Sequence, residues 1–358
     1  MRALITILDD TTETSMPFNE FVLYRANHYP DEKQILIICG PKKDLPNVRI
    51  PSALEIKYAG RKLSNIRRII KRTIDDLRKQ NISYAIHMHQ VQSGFLAEMA
   101  MLGTGFRKKS IFTVHSTFSG YKFHNKVLSF TNKLLAQRST CVSETSFQDY
   151  PRIIKRIKGS RIQAIQNGVD TERIDHNISI PTKHEGISFI FVARLIPLKN
   201  HKFLVDVLKK CDKNISLIFV GAEDKEKRIR NKAKALGVID RIVFTGLIPR
   251  DEVFQQLVSA DYYCSASTLE GLPVSVLEAM YCGLPCILSD IPQHREIAGK
   301  ETVLLPYDVN VWAAEMNRLA KLSESQKMEM SIRIKNYVKN NFSLEVMHKS
   351  YDTLYELL

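Results

Sequence analysis

The sequence predicts an α/β protein made of two doubly wound domains. Two observations carry that expectation. Short apolar runs alternate with longer helical stretches along the chain, the rhythm of parallel βαβ units. That rhythm runs twice, and 358 residues exceed what one typical core serves.

The first series of strands is expected at Ala3–Leu8, Gln34–Cys39, Tyr84–Met88, Ser110–Val114, Thr140–Val142 and Ile162–Ile165. The second is expected at Ile187–Val192, Ile215–Val220, Ile242–Thr245, Tyr262–Cys264, Pro285–Leu288 and Val303–Leu305. Helical segments fall between them, as at Asn200–Lys210 and Asp224–Leu236. The stretch 171–186 lacks periodicity and contains Pro181 and Gly186, so it reads as a linker. The domains are therefore expected at 1–170 and 187–340, with a terminal segment at 341–358.

Composition is that of an ordinary globular protein, with 44% apolar and 25% charged residues. No stretch approaches the ~18 apolar residues of a membrane span. The N-terminus has neither a basic leader nor a small-residue cleavage site, so no signal peptide is expected. Cys39, Cys141, Cys211, Cys264, Cys282 and Cys286 form no CxxC pair. They read as small buried hydrophobes in a reducing cytoplasm, and neither a metal site nor a disulfide framework is expected.

The net charge of +14 is unevenly spread. Residues 1–170 hold 27 Lys and Arg against 14 Asp and Glu, while 171–358 hold 25 against 24. An anionic surface met by the first half fits that asymmetry. Residues 57–79 concentrate the basic charge, and Leu63, Ile66, Ile70, Ile74 and Leu77 recur at helical spacing. The stripe suits packing on the domain's own sheet, and its basic flank suits anionic lipid headgroups. Nucleic acid is not the expected partner, because the basic stretch lacks interleaved aromatics and no zinc-finger or RNA-binding motif occurs.

The most informative segment runs from Ser267 to Met280 and carries two glutamates eight residues apart. Glu270 precedes Gly271, Leu272, Pro273 and Val274 and is expected on a loop. Glu278 sits in an apolar run and is expected about two turns into the next helix. Both carboxylates could face one pocket, with a helix N-terminus between them suited to phosphate. Burial of Glu278 among Val276, Leu277 and Ala279 would demand a polar partner, such as a sugar or ribose hydroxyl. Arg194 and Lys199 lie on the loop that follows Ile187–Val192, where two cations could clamp a diphosphate. The alternative for each of these groups is a solvated surface charge. His115 follows Ser110–Val114 and could line a cleft or sit in the core. Glu223 also falls at a strand end, and Asn167-Gly168-Val169-Asp170 reads as a structural turn.

Together these residues resemble glycosyltransferase family 4, the retaining GT-B enzymes also known as glycosyl transferases group 1. The Glu270-x7-Glu278 segment is similar to the family's most specific motif. Ala193-Arg194-Leu195 with Lys199-Asn200-His201 resembles its donor-diphosphate motif, and Phe244-Thr245-Gly246 the segment bordering the nucleotide base. The resemblance is strong from about residue 160 onward and thin before it. It implies two Rossmann-like domains facing across a cleft, with 341–358 a helix crossing back to the first domain.

The resemblance further implies a hexosyltransferase. Arg194 and Lys199 would hold the donor diphosphate, Glu270 the sugar hydroxyls and Glu278 the ribose, with His115 beside the transferred sugar. Phe244, Thr245 and residues Gly271 to Val274 would complete the donor site. Catalysis would need no metal or other cofactor. The donor would be a UDP- or GDP-type sugar, and the acceptor a glycan or polyprenyl-diphosphate-linked saccharide at the inner membrane face. Two features depart from the pattern. Thr14 to Glu20 replace the usual Gly-Gly loop after the first strand, and Ala193 replaces the Gly before the Arg. The competing readings are a nucleotide-sugar epimerase and a non-catalytic protein that binds anionic surfaces.

Overall fold

A computed structural model describes the chain except residues 13, 14, 16, 42–49, 183, 184 and 223–225 and the side chain of Glu226. The chain divides into two compact units. The first holds Met1–Asn167 and Met347–Leu358, and the second holds Gly168–Val346.

The first unit is built on seven parallel strands: β1 (Arg2–Leu8), β2 (Glu32–Ile38), β3 (Leu54–Tyr58), β4 (Ser83–Met88), β5 (Ser110–Val114), β6 (Arg138–Cys141) and β7 (Ile162–Ala164). Their order is β3-β2-β1-β4-β5-β6-β7, so the winding reverses between β1 and β4. The inner strands are buried at nearly every position, as expected of a parallel sheet, although β6 (Arg138-Ser139-Thr140-Cys141) is mostly polar. The edge strand β3 was not expected from the sequence. It alternates apolar and charged residues, Leu54-Glu55-Ile56-Lys57-Tyr58, and the positions after Leu54 are only partly buried or exposed. The basic stretch 57–79 thus begins in a strand, and its helix spans Leu63–Lys79. Ile66, Ile70, Ile74 and Leu77 of that helix are buried against the sheet, while Leu63 is exposed.

Of the Thr14–Glu20 segment that departs from the family pattern, Thr14 and Met16 lie outside the described residues, and Pro17 to Glu20 do not form an open loop. Residues Pro17–Leu23 wind as a π-helix whose side chains are all buried. The last twelve residues are also integral to this unit. Tyr351 Oη lies 3.3 Å from Thr113 Oγ1 and 3.2 Å from Thr140 Oγ1. Asp352 accepts from the fully buried Arg25 at 2.8 Å, and Arg25 also donates to Glu32 at 2.7 Å.

The second unit has six parallel strands: β8 (Ile187–Val192), β9 (Ile215–Val220), β10 (Ile242–Gly246), β11 (Tyr262–Ser265), β12 (Cys286–Ser289) and β13 (Thr302–Leu305). The order is β10-β9-β8-β11-β12-β13, a doubly wound arrangement that reverses between β8 and β11. Part of the expected linker is helical. Thr171–Asn177 forms a helix because Asp170 caps it, accepting from Arg173 N at 2.9 Å, and Ile174 is buried beneath it. The Asn167–Asp170 turn is tightly fixed on the second unit's side. Val169 N donates to Phe342 O at 2.7 Å, and a Cβ on Gly168 would fall 2.5 Å from Ser343 O. Of the six cysteines, all free, five are buried and Cys282 is partly so.

Candidate functional site

In the second unit the winding reverses where β8 and β11 lie side by side, and the loops leaving their carboxyl ends adjoin there. Arg194 and Lys199 stand on the first of these loops, and Glu270 on the second. The structure joins the two. Thr268 donates both N–H (2.8 Å) and hydroxyl (3.2 Å) to Leu198 O. Lys199 Nζ reaches Glu270 Oε1 at 2.5 Å, and both side chains are largely buried. The Lys199 charge is therefore already partnered. Arg194 is exposed and forms no ion pair among the described residues.

The β8 loop is held from behind by β9. Leu195 N donates to Ala222 O at 3.2 Å, and Ala193 N to Val220 O at 2.9 Å. Gly221 has φ +152°, and a Cβ there would sit 2.2 Å from Ala193 O. Only glycine lets the two strand ends approach so closely. The β11 loop is held from the other side. Ser289 Oγ and Tyr307 Oη both donate to Ser267 O at 2.6 Å, and His294 lies against Ser289. Sequence reasoning missed these supports, because single Ser, His and Tyr residues far apart in the chain leave no spacing signal.

The helix after Glu270 spans Val274–Tyr281, with Pro273 at its N-cap position. Glu278 is its fifth residue, little more than one turn in rather than two. The helix begins only at Val274 because Pro273 takes a non-helical ψ of 80°. Glu278 is buried, and its partner is protein: Arg250 Nη2 donates to Glu278 Oε1 at 2.8 Å. Its burial therefore does not by itself call for a ligand, which corrects the expectation from sequence. Arg250 begins the helix Arg250–Ser259, separated from the Phe244–Gly246 segment by Leu247, Ile248 and Pro249. Phe244 packs edge-on against Phe219, and the Arg230 guanidinium covers its ring at 4.1 Å. Thr245 Oγ1 bonds to Gly246 O. His201, next to the β8 loop, is a core group stacked on Phe191, and burial, then Lys199, pushes its pKa down to about 3. Glu223 lies outside the described residues.

In the first unit, His115 follows β5 and faces His89, which follows β4. His89 Nδ1 and His115 Nε2 are 3.1 Å apart. His87 stacks against His89 at 3.9 Å and bonds Thr113 Oγ1 and Tyr355 Oη, each at 2.6 Å. Phe21, from the buried π-helix, packs over His89 at 4.3 Å and His115 at 6.1 Å. Burial pushes the His115 pKa down to about 4 and lowers His87 and His89 well below the usual imidazole value. The imidazole of His115 is thus neutral at pH 7, able to donate from one nitrogen and accept at the other. His89, its partner, was not singled out from the sequence.

Two family models match along the chain: Glycosyltransferase Family 4 over residues 22–173 and Glycosyl transferases group 1 over 173–340. The chain belongs to the family 4, group 1 glycosyltransferases. It is a glycosyltransferase enzyme of the hexosyltransferase kind. Among relatives, a phosphatidylinositol N-acetylglucosaminyltransferase component of Arabidopsis thaliana is 27% identical over 66% of this chain. That match spans 53% of the plant protein's length, so the chain corresponds to about half of it. The capsular polysaccharide biosynthesis glycosyltransferase CapH of Staphylococcus aureus is 25% identical over 77% of this chain and 78% of its own. A UDP-Gal:α-D-GlcNAc-diphosphoundecaprenol α-1,3-galactosyltransferase of Escherichia coli is 25% identical over 72% of this chain and 71% of its own.

Solved structures share the GT-B fold. Anabaena HepE in complex with UDP and glucose superposes with a TM-score of 0.76 at 15% identity, covering 100% of both chains. Sucrose-phosphate synthase of Thermosynechococcus elongatus gives 0.77 at 16%, covering 99% and 98%. The named relatives transfer sugars, which does not favour the epimerase reading.

Proposed function

We propose that this enzyme moves a hexosyl group, with retention, from a UDP- or GDP-type sugar to a glycan or polyprenyl-diphosphate-linked saccharide during surface polysaccharide or glycolipid synthesis. The observation that carries this reading is the Lys199–Glu270 pair bridging the two loops at the strand-order reversal, with Arg194 exposed beside it and free of ion pairs among the described residues. A carboxylate for sugar hydroxyls and cations for a diphosphate stand on adjoining loops there. The capsular polysaccharide biosynthesis named for one relative and the GlcNAc-diphosphoundecaprenol acceptor named for another support the acceptor class.

Arg194 and Lys199 would take the diphosphate and stabilise its charge as it leaves. Its arrival would let Lys199 share its charge between phosphate and Glu270. Glu270 would then accept from the donor sugar. The N-terminal dipole of Val274–Tyr281 would add support for phosphate, with Gly271 to Val274 lining the donor site. Glu278, held by Arg250, would read the ribose. Phe244 and Thr245 would border the base, although Arg230 already covers one face of the Phe244 ring.

Retention would proceed by front-face attack, with the departing phosphate oxygen taking the acceptor proton. No protein nucleophile and no metal would be required. His115, neutral and oriented by His89, would donate to a hydroxyl of the transferred sugar. The protein would act at the cytoplasmic face of the membrane, peripherally, through its basic first unit. No helix among the described residues is long and apolar enough to cross a membrane.

The test is a panel of nucleotide sugars in a thermal-shift assay, followed by transfer assays with the best donor. A ligand at 100 times its Kd stabilises by about 2.7 kcal/mol. Wild type should respond to one base family, and Glu270→Ala with Arg194→Ala should abolish transfer. Full transfer by that double variant would overturn the assignment of the site.

A further inference from the structure

The amphipathic helix Leu63–Lys79 was the sequence's candidate for contact with lipid. Its apolar stripe is spent on its own sheet: Ile66, Ile70, Ile74 and Leu77 are no more than 1% exposed. Its outer face can offer charge, but Leu63 is its one exposed apolar side chain, Ile69 being partly buried against the core. It also carries Asp75 and Asp76 among its cations.

Elsewhere in the first unit the opposite holds. Two helices, Phe123–Leu135 and Arg152–Lys158, pack against each other. Each turns an i, i+4 apolar pair outward. Phe123 is 83% exposed and Val127 48%; Ile153 is 53% exposed and Ile157 50%. Such pairs share one face of a helix. Cations alternate with them: Lys122 at the N-cap and Lys126 within the first helix, Arg152 and Arg156 on the second. Neither helix contains an Asp or Glu. Large apolar side chains held in water beside cations that form no ion pair among the described residues fit a surface that is both anionic and apolar just beneath. A bilayer with acidic headgroups has that layering, whereas a nucleic acid offers no apolar layer.

We propose that these two helices form the membrane-docking face. Phe123, Val127, Ile153 and Ile157 enter the headgroup–acyl boundary, and Lys122, Lys126, Arg152 and Arg156 meet anionic headgroups. The proposal rests on the reading of the protein as membrane-peripheral and moves the contact away from Leu63–Lys79.

The test uses the full chain and sedimented vesicles of phosphatidylcholine, with or without one-third phosphatidylglycerol. Three proteins are compared: wild type, the Phe123→Ser, Val127→Ser, Ile153→Ser, Ile157→Ser variant, and an Arg67→Gln, Arg68→Gln, Lys71→Gln, Arg72→Gln variant. Circular dichroism melts confirm that all are folded. Wild type should bind only the anionic vesicles. The apolar variant should bind at least about tenfold more weakly, and the charge variant within about threefold of wild type.

A Phe123→Trp variant reports the same insertion without removing it. Its fluorescence should be quenched by acyl-brominated lipids, while the buried Trp312 of wild type should not. If the charge variant alone loses binding, the membrane reading stands and this face is wrong. If wild type binds neither vesicle, both fall. If the apolar substitutions instead dissolve a lipid-free dimer, the face is a self-association surface and the proposal is overturned.

Discussion

Removing Arg250 tests whether Glu278 is held by protein or waits for a ligand. The pair spans 2.8 Å, with side-chain exposures of 15% and 10%. At that burial solvent screens it little, so the upper range for a charge-assisted bond applies, about 1.5–3 kcal/mol. Arg250→Ala also strands a buried carboxylate, and it should destabilise the second unit by about 2–3 kcal/mol. For a unit of about 180 residues this lowers Tm by about 5–10 °C. Trp312 is the chain's single tryptophan and is fully buried in this unit, so its fluorescence reports this unfolding alone. In a double-mutant cycle with Glu278→Ala, the coupling should be about 1.5 kcal/mol or more. Additive effects, with coupling under about 0.5 kcal/mol, would refute the pairing and return Glu278 to a ligand-only role.

Arg194→Ala should weaken nucleoside-diphosphate binding at least about tenfold while leaving Tm nearly unchanged, because Arg194 is exposed and has no ion partner among the described residues; isothermal titration with a Tm control checks both. Gly221→Ala should destabilise by about 1–3 kcal/mol and weaken donor binding, since its Cβ meets the Ala193 carbonyl at 2.2 Å; Trp312 melts read the first. His87, His89, His115 and His348 all have lowered pKa values in the first unit, chiefly from burial. Unfolding lets each return towards ~6.5 and bind a proton, so stability is full above pH ~6.5 and falls as pH drops towards 4. Each contributes a slope of up to about 1.4 kcal/mol per pH unit. Amide hydrogen exchange in β4 and β5 should accelerate over that window, and a His87→Asn, His89→Asn variant should flatten the dependence.

The sequence by itself determined the two series of parallel strands, because a strand buried on both faces must be apolar throughout and its neighbours must be helices. Twelve of the thirteen strands are legible from short strand-like runs between helical stretches, the edge strands β7, β10 and β13 among them. β3 is not, because its partly exposed run mixes Glu55 and Lys57 between its apolar residues. The positions of Arg194, Lys199, Glu270 and Glu278 are legible too, since strand-end loops and the Gly-Leu-Pro turn place them locally. Only the tertiary structure decided what those charges do at rest. It pairs Lys199 with Glu270 across 71 residues and Arg250 with Glu278 across 28. It sets His89 against His115, and it buries one amphipathic helix while leaving two shorter ones with apolar faces in solvent. The physical reason is that periodicity reports which face of an element is apolar. What covers that face, and which distant charge neutralises a given side chain, depends on strand order, which brings together loops that the sequence keeps apart.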